Sequence, residues 1–130
     1  ESVAPAVARG KESAAANGLT NVRWRVGKVE STLKKLHHHE HWKADLVVVD
    51  PPRAGLKDIV IETLGRIKPH RVVYVSCNPT TLARDVKQFA KFGFEPVGTL
   101  SVIDLFPQTF HVEAVLALAP AAPKAPAAAG

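Results

Sequence analysis

The sequence predicts an α/β fold, a mostly parallel sheet covered by helices and ending in an antiparallel hairpin. Three observations predict it. DLVVVD (45–50) and RVVYVS (71–76) are continuous β-branched runs, the mark of parallel strands buried on both faces. Helical patterns alternate with strand-like ones along the chain. The last two strand-like segments, 97–105 and 111–119, have only a short loop between them, which suits an antiparallel pair.

Each element has its own signal. Residues 3–17 are Ala-rich, with Pro5 suited to a first helical turn and Asn17-Gly18 to a stop. Residues 21–26 (NVRWRV) alternate with period two and read as a strand. Residues 30–36 form a short helix pattern. In 57–68, Ile59, Val60, Ile61, Leu64 and Ile67 mark a helix. In 79–92, Leu82, Val86, Phe89 and Ala90 mark another, stopped by Gly93. Trp24 and Trp42 read as packing residues.

Composition bounds the rest. The 130 residues suffice for one domain, 46% hydrophobic and 22% charged. Seventeen Lys+Arg against twelve Asp+Glu leave +5, with a pI near 9.6. That permits a polyanionic partner, although the basic residues are scattered rather than striped. One Cys excludes a disulfide framework and a multi-Cys metal site within these residues. No apolar run approaches the roughly 18 residues of a membrane span, and no signal-peptide pattern opens the chain, so a cytoplasmic location is expected. Met is absent and the first residue is Glu1, so a fragment of a longer protein is expected. Residues 119–130 are Ala, Pro, Lys and Gly, expected to be a disordered tail after a folded part at 1–118.

In parallel sheets, ligand sites lie at the carboxyl ends of the strands. That rule selects Asp50 to Arg53, Ser76 to Pro79, and the loop before His111. Cys77 follows a strand and precedes Asn78, an N-cap residue type, and Pro79. It is either an inert core thiol or a nucleophile whose pKa the helix N-terminus lowers. Asp50, before two prolines, is either a turn residue or a carboxylate held on a stiff loop. Arg53 is either a surface cation or an anion-holding group. Glu113 lies in the apolar HVEAVLAL with His111 and Val115 on its side. It is solvated, or partly buried with a raised pKa suited to a general base. His37-His38-His39-Glu40-His41 reads as an exposed loop, and no metal site is expected.

Together, DPPRAGL (50–56), YVSCNPTTLARD (74–85) and DLFPQTFHVEAV (104–115) resemble the catalytic half of the RNA uracil-C5 methyltransferases. These enzymes make 5-methyluridine in ribosomal or transfer RNA from S-adenosylmethionine. The resemblance covers nearly all of 1–118 and is closest to the bacterial 23S ribosomal RNA branch. It implies a Rossmann-like class I methyltransferase sheet. Cys77 matches the nucleophile that adds to uracil C6, and Glu113 the base that removes the C5 proton. Asp50 matches a carboxylate beside cofactor and target base, and Arg53 a partner of the uracil. Glu1 matches the acidic residue that holds the cofactor ribose. Lys28 stands where the family usually has Asp or Asn near the adenine; an ammonium cannot accept from the adenine amino group.

The glycine-rich first strand of the family is absent, so the resemblance implies a C-terminal fragment lacking two strands of the sheet and inactive on its own. Two outcomes are then expected. Either strand 21–26 closes directly onto 46–49, or another copy fills the gap as a homo-oligomer or domain swap. Two other functions compete: a non-catalytic RNA-binding or interaction remnant, and an amino-group methyltransferase resting on the DPPR motif alone.

Overall fold

The structure is a computed structural model that describes residues 1–39, 42–105, 107–109 and 111–122. The chain divides into two compact units, Glu1–Trp42 and the residues from Lys43 on.

The first unit holds α1 (Ala4–Ala16) and α2 (Val29–His39). Pro5 sits in the first turn of α1, where its missing N–H costs no helical bond. Asn17 closes the helix, its side-chain amide donating to the Ser13 carbonyl at 2.8 Å. Val7, Ala14 and Leu33 are buried. The Trp24 ring lies so close over Gly10 that a Cβ there would stand 2.6 Å from it, so Trp24 packs as expected.

Two expectations are corrected in this unit. Residues 21–26 are not a strand. They meet Glu1 in a ladder-like contact: its terminal amine donates to the Arg25 carbonyl at 3.4 Å, and the Gly27 amide donates to the Glu1 carbonyl at 2.9 Å. Those bonds flank Val26 as in a single step of parallel pairing. Alternation shapes the side-chain pattern, but a strand exists only where a ladder continues. The histidine tract is also no loop at its start, because α2 runs through His37, His38 and His39. The His37 and His38 rings meet edge to face at 5.2 Å. Glu40 and His41 lie outside the described residues.

The second unit is built on a four-stranded sheet, β1 (Leu46–Val49), β2 (Arg71–Ser76), β3 (Phe94–Ile103) and β4 (Glu113–Pro120), in the order β1-β2-β4-β3. α3 (Asp58–Ile67) links β1 to β2, and α4 (Pro79–Ala90) links β2 to β3. β1 and β2 are parallel, and β4 runs antiparallel to both β2 and β3. The predicted α/β sheet with a C-terminal antiparallel hairpin is therefore present.

One sheet face carries the core. Val72, Tyr74 and Ser76 of β2 and Ala114, Leu116 and Leu118 of β4 are buried, and the Tyr74 hydroxyl reaches Asp85 of α4, so α4 covers this face. Val60, Ile61 and Leu64 of α3 and Leu82 and Phe89 of α4 complete the core. Each large side chain fully withdrawn from water contributes about 2–3 kcal/mol. Phe89 meets Phe94 edge to face at 5.8 Å.

The expectation that 45–50 is buried on both faces fails. Leu46 is 56% and Val48 62% exposed. β1 is the edge of the sheet and pairs only with β2 among the described residues. β3 starts earlier than expected. It also kinks, with a register shift between Val97 and Ser101 at Gly98, whose φ of 75° suits an irregularity in a strand. β4 runs through Ala119 and Pro120, which pair with Glu95 and Phe94, two residues into the expected tail. Residues 123–130 lie outside the described residues. Among the described residues no helix is long and apolar enough to cross a membrane.

Candidate functional site

The strand directions gather the predicted residues at one end of the sheet. Val49 pairs with Tyr74, so β1 and β2 finish at the same end, with Asp50 directly after β1 and Cys77 directly after β2. β4 runs the other way and starts at that end with Glu113. The β2–β4 register ends at Ser76 opposite Ala114, so Cys77 and Glu113 are each the residue next to that last pair. On its other side Glu113 pairs with Ile103 of β3. Cys77 and Glu113 are half-buried, whereas Asp50 and Arg53 are exposed.

Local chemistry fixes Cys77 between strand and helix. The Ser76 hydroxyl accepts from the Asn78 amide at 3.1 Å and donates to the Asn78 carbonyl at 3.0 Å. Asn78 is extended and caps α4, its side-chain oxygen accepting from the Thr80 amide at 3.1 Å. Pro79 follows in the first turn. The cap residue type and the proline were legible in the sequence, and both act as expected.

Asn78 has a second task. Its amide nitrogen donates to the Arg53 carbonyl at 3.1 Å, and the Thr81 hydroxyl donates to the same oxygen at 3.2 Å. The 50–56 loop is thereby tied to the residue that follows Cys77. The Arg53 guanidinium in turn lies 3.3 and 3.5 Å from the two ring nitrogens of His111, two residues before Glu113. The His111 amide donates to the Thr109 hydroxyl at 3.2 Å. So Arg53 joins all three motif loops.

Behind the loops lies a buried charge. Asp85 is 1% exposed. One of its oxygens accepts from the Tyr74 hydroxyl at 2.6 Å and the Leu56 amide at 2.7 Å; the other accepts from Arg84 at 2.7 and 2.9 Å. Burial, and then the Asp85 carboxylate, push the Tyr74 phenol well above its ordinary value. Asp85 likewise raises the Arg84 guanidinium. Sequence reading missed this cluster and the Arg53–His111 contact. A signal for the first existed: Asp85 interrupts the apolar stripe Leu82, Val86, Phe89. An aspartate there must have partners.

Glu1 and Lys28 belong to the first unit. The Glu1 carboxylate accepts from the Val3 amide at 2.8 Å and the Ser2 hydroxyl at 3.4 Å, and the Val3 amide contributes most to lowering its pKa. Lys28 precedes α2, its carbonyl accepting from the Thr32 amide at 3.0 Å and the Ser31 hydroxyl at 3.1 Å. The Glu1–Val26 pairing step places Glu1 two residues from Lys28 along that segment. Among the described residues no group of three or more His, Cys, Asp or Glu is arranged to hold a metal ion.

A sheet of this order, with its motif loops gathered at one end, defines a class I methyltransferase fold. A putative tRNA (m1A22) methyltransferase of Streptococcus pneumoniae shares that fold, with a TM-score of 0.62 and 17% identity over 98% of this chain and 54% of that one. The tRNA (uracil-5-)-methyltransferase family profile matches residues 15–120, and the chain belongs to that family. A tRNA (uracil-54, C5)-methyltransferase of Pyrococcus abyssi, solved with S-adenosyl-L-homocysteine, superposes with a TM-score of 0.72. It is 33% identical over 91% of this chain and 27% of that one. Curated relatives include uncharacterised RNA methyltransferases of Halalkalibacterium halodurans and Gloeobacter violaceus. They are 43% and 46% identical over 85% and 91% of this chain. The chain spans about a quarter of the length of these relatives, 24% in each case. The family depends on S-adenosylmethionine.

Proposed function

We propose that these residues carry the C5 chemistry of an S-adenosylmethionine-dependent RNA uracil methyltransferase. The supporting observation is the β2–β4 register: its last pair is Ser76 with Ala114, and Cys77 and Glu113 each lie one residue beyond it at the loop end of the sheet. Uracil C5 is a poor nucleophile until C6 carries an adduct. The Cys77 sulfur bonds to C6, and the electron pair released there makes C5 nucleophilic. S-adenosylmethionine supplies the methyl group that C5 takes. Glu113 then removes the C5 proton, the double bond reforms and the sulfur leaves. Arg53 offers its guanidinium to the negative charge that builds on the uracil ring during addition, and Asp50 would supply a carboxylate beside the bound base and cofactor. The target base reaches Cys77 flipped out or from a single strand.

Glu1 is proposed to hold the cofactor ribose. Its exposed carboxylate, steered by the Val3 amide, presents acceptor oxygens that suit hydroxyl donors. Lys28 does not suit an adenine amino group, because both are donors. The RNA is ribosomal or transfer RNA, met by a chain of net charge +5 in the cytoplasm. The 130 residues alone are inactive, and the open edge of β1 favours a second copy or a swapped element in the isolated chain.

The test is trapping with RNA that carries 5-fluorouridine, since fluorine does not leave as a proton does. The protein is a chimera in which these residues replace the matched segment of the Halalkalibacterium halodurans relative. Intact mass is expected to show protein, RNA and one methyl group, and Cys77→Ala to abolish the adduct. Methylation that survives Cys77→Ala would overturn the reading in favour of amino-group chemistry.

A further inference from the structure

Four side chains of α4 and its N-cap hydrogen-bond the 53–56 backbone. Asn78 and Thr81 donate to the Arg53 carbonyl, at the start of α4. One turn on, Arg84 donates to the Ala54 carbonyl at 2.8 Å and the Leu56 carbonyl at 3.4 Å. Asp85 accepts from the Leu56 amide at 2.7 Å. The loop also turns on itself, the Gly55 amide donating to the Pro52 carbonyl at 2.8 Å. Gly55 has φ of 78°, and a Cβ there would stand 2.6 Å from both Arg84 and Asp85. The backbone thus lies directly against the two side chains, with no room for a larger residue.

The bonds of Arg84 and Asp85 to this loop run to its backbone: the Ala54 and Leu56 carbonyls and the Leu56 amide. Both act on the loop behind them. Asp85 is also held from below by the Tyr74 hydroxyl of β2, the strand that ends in Cys77. The sheet, the helix that follows Cys77 and the Arg53 loop therefore share one buried carboxylate.

We propose that Asp85 and Arg84 are positioning residues, which lock the 53–56 backbone to β2 and α4 so that the Arg53 guanidinium is presented at His111 beside the Cys77 loop. This rests on the reading of Cys77 and Arg53 given above. It predicts that weakening the clamp slows chemistry while leaving the affinity for RNA in place, because the loop's carbonyls, not its surface charge, are what the clamp holds. A displacement of about 1 Å at a reacting centre costs on the order of 100-fold in rate.

Two measurements decide it. In the 130-residue chain, Asp85→Asn and Arg84→Met are followed by native-state amide hydrogen exchange. Leu56 and Gly55 are expected to lose protection while Leu64 and Val72, in the core, keep theirs. Unchanged exchange at Leu56 in both variants would overturn the proposal whatever the chemistry of the site. Arg84 is half-exposed, so its variant serves if Asp85→Asn does not fold. In the chimera, the same variants are expected to form the 5-fluorouridine adduct about 10–100-fold more slowly, with RNA affinity within about twofold of the parent. Arg84→Lys is expected to recover part of the rate that Arg84→Met loses. A parent adduct formed equally fast by all variants would overturn the positioning role. A parent that forms no adduct would instead overturn the uracil reading and the positioning proposal built on it, leaving only the exchange result about the loop.

Discussion

Tyr74 shows how one residue's environment sets a measurable property. It is fully buried, its hydroxyl donates to Asp85, and both facts disfavour the phenolate. A phenol in the unfolded chain ionises near pH 10, whereas in the folded protein it ionises higher. The protonated form is thus the one that folding favours. The stability it contributes is complete below about pH 10 and is lost as pH rises through the folded value. Denaturant unfolding is expected to show falling stability above about pH 10. Tyr74→Phe is expected to remove that step while costing about 1–2 kcal/mol at neutral pH, since Asp85 then loses a donor. Tyr74 is the chain's single tyrosine, so the change in near-ultraviolet absorbance with pH reports its ionisation over the background of the two tryptophans.

At the scale of the element, α4 links stability to the site through its cap. The Asn78 oxygen satisfies the Thr80 amide, and its nitrogen holds the Arg53 carbonyl. The two roles separate by substitution. Asn78→Ala is expected to lower stability by about 1 kcal/mol or more, through loss of the cap. Asn78→Asp keeps an acceptor and adds a charge that the helix N-terminus favours, so stability should stay near the parent's. It cannot donate to Arg53, so Asn78→Asp should expose the 50–56 loop without unfolding α4. Limited proteolysis and thermal melts on the three proteins check both expectations. α4 itself was legible as an amphipathic helix with its stop at Gly93, because capping and periodicity are local. The partners of its buried Asp85 were not, because Tyr74 and Leu56 lie eleven and twenty-nine residues away.

At the scale of the whole molecule, β1 is the feature with consequences. LVVV is a short apolar strand with one paired edge among the described residues, and Leu46 and Val48 stand exposed. Such an edge is a template for another strand. Light scattering on the isolated chain is expected to give a concentration-dependent mass above that of a monomer, and Val48→Lys to return it towards 14.0 kDa. A monomer at high concentration in the parent would show that the edge is protected.

The sequence by itself determined the element types and the motif loops. Strand runs such as RVVYVS, the Asn-Pro cap and the short hairpin connection act over a few residues, and the structure realises each of them. It also singled out Cys77, Glu113, Asp50 and Arg53, since reactive side chains at strand ends are visible in one dimension. Tertiary structure alone decided three things. Residues 21–26 alternate like a strand yet have no continuing ladder, because pairing needs a partner that no local pattern supplies. The exposure of β1 follows from its place in the strand order rather than from its composition. The junction of Arg53 with His111, and the clamp of Arg84 and Asp85, join residues 28 to 58 positions apart. Only folding brings such groups within hydrogen-bond range, because their contact energy depends on distance in space and not on distance along the chain.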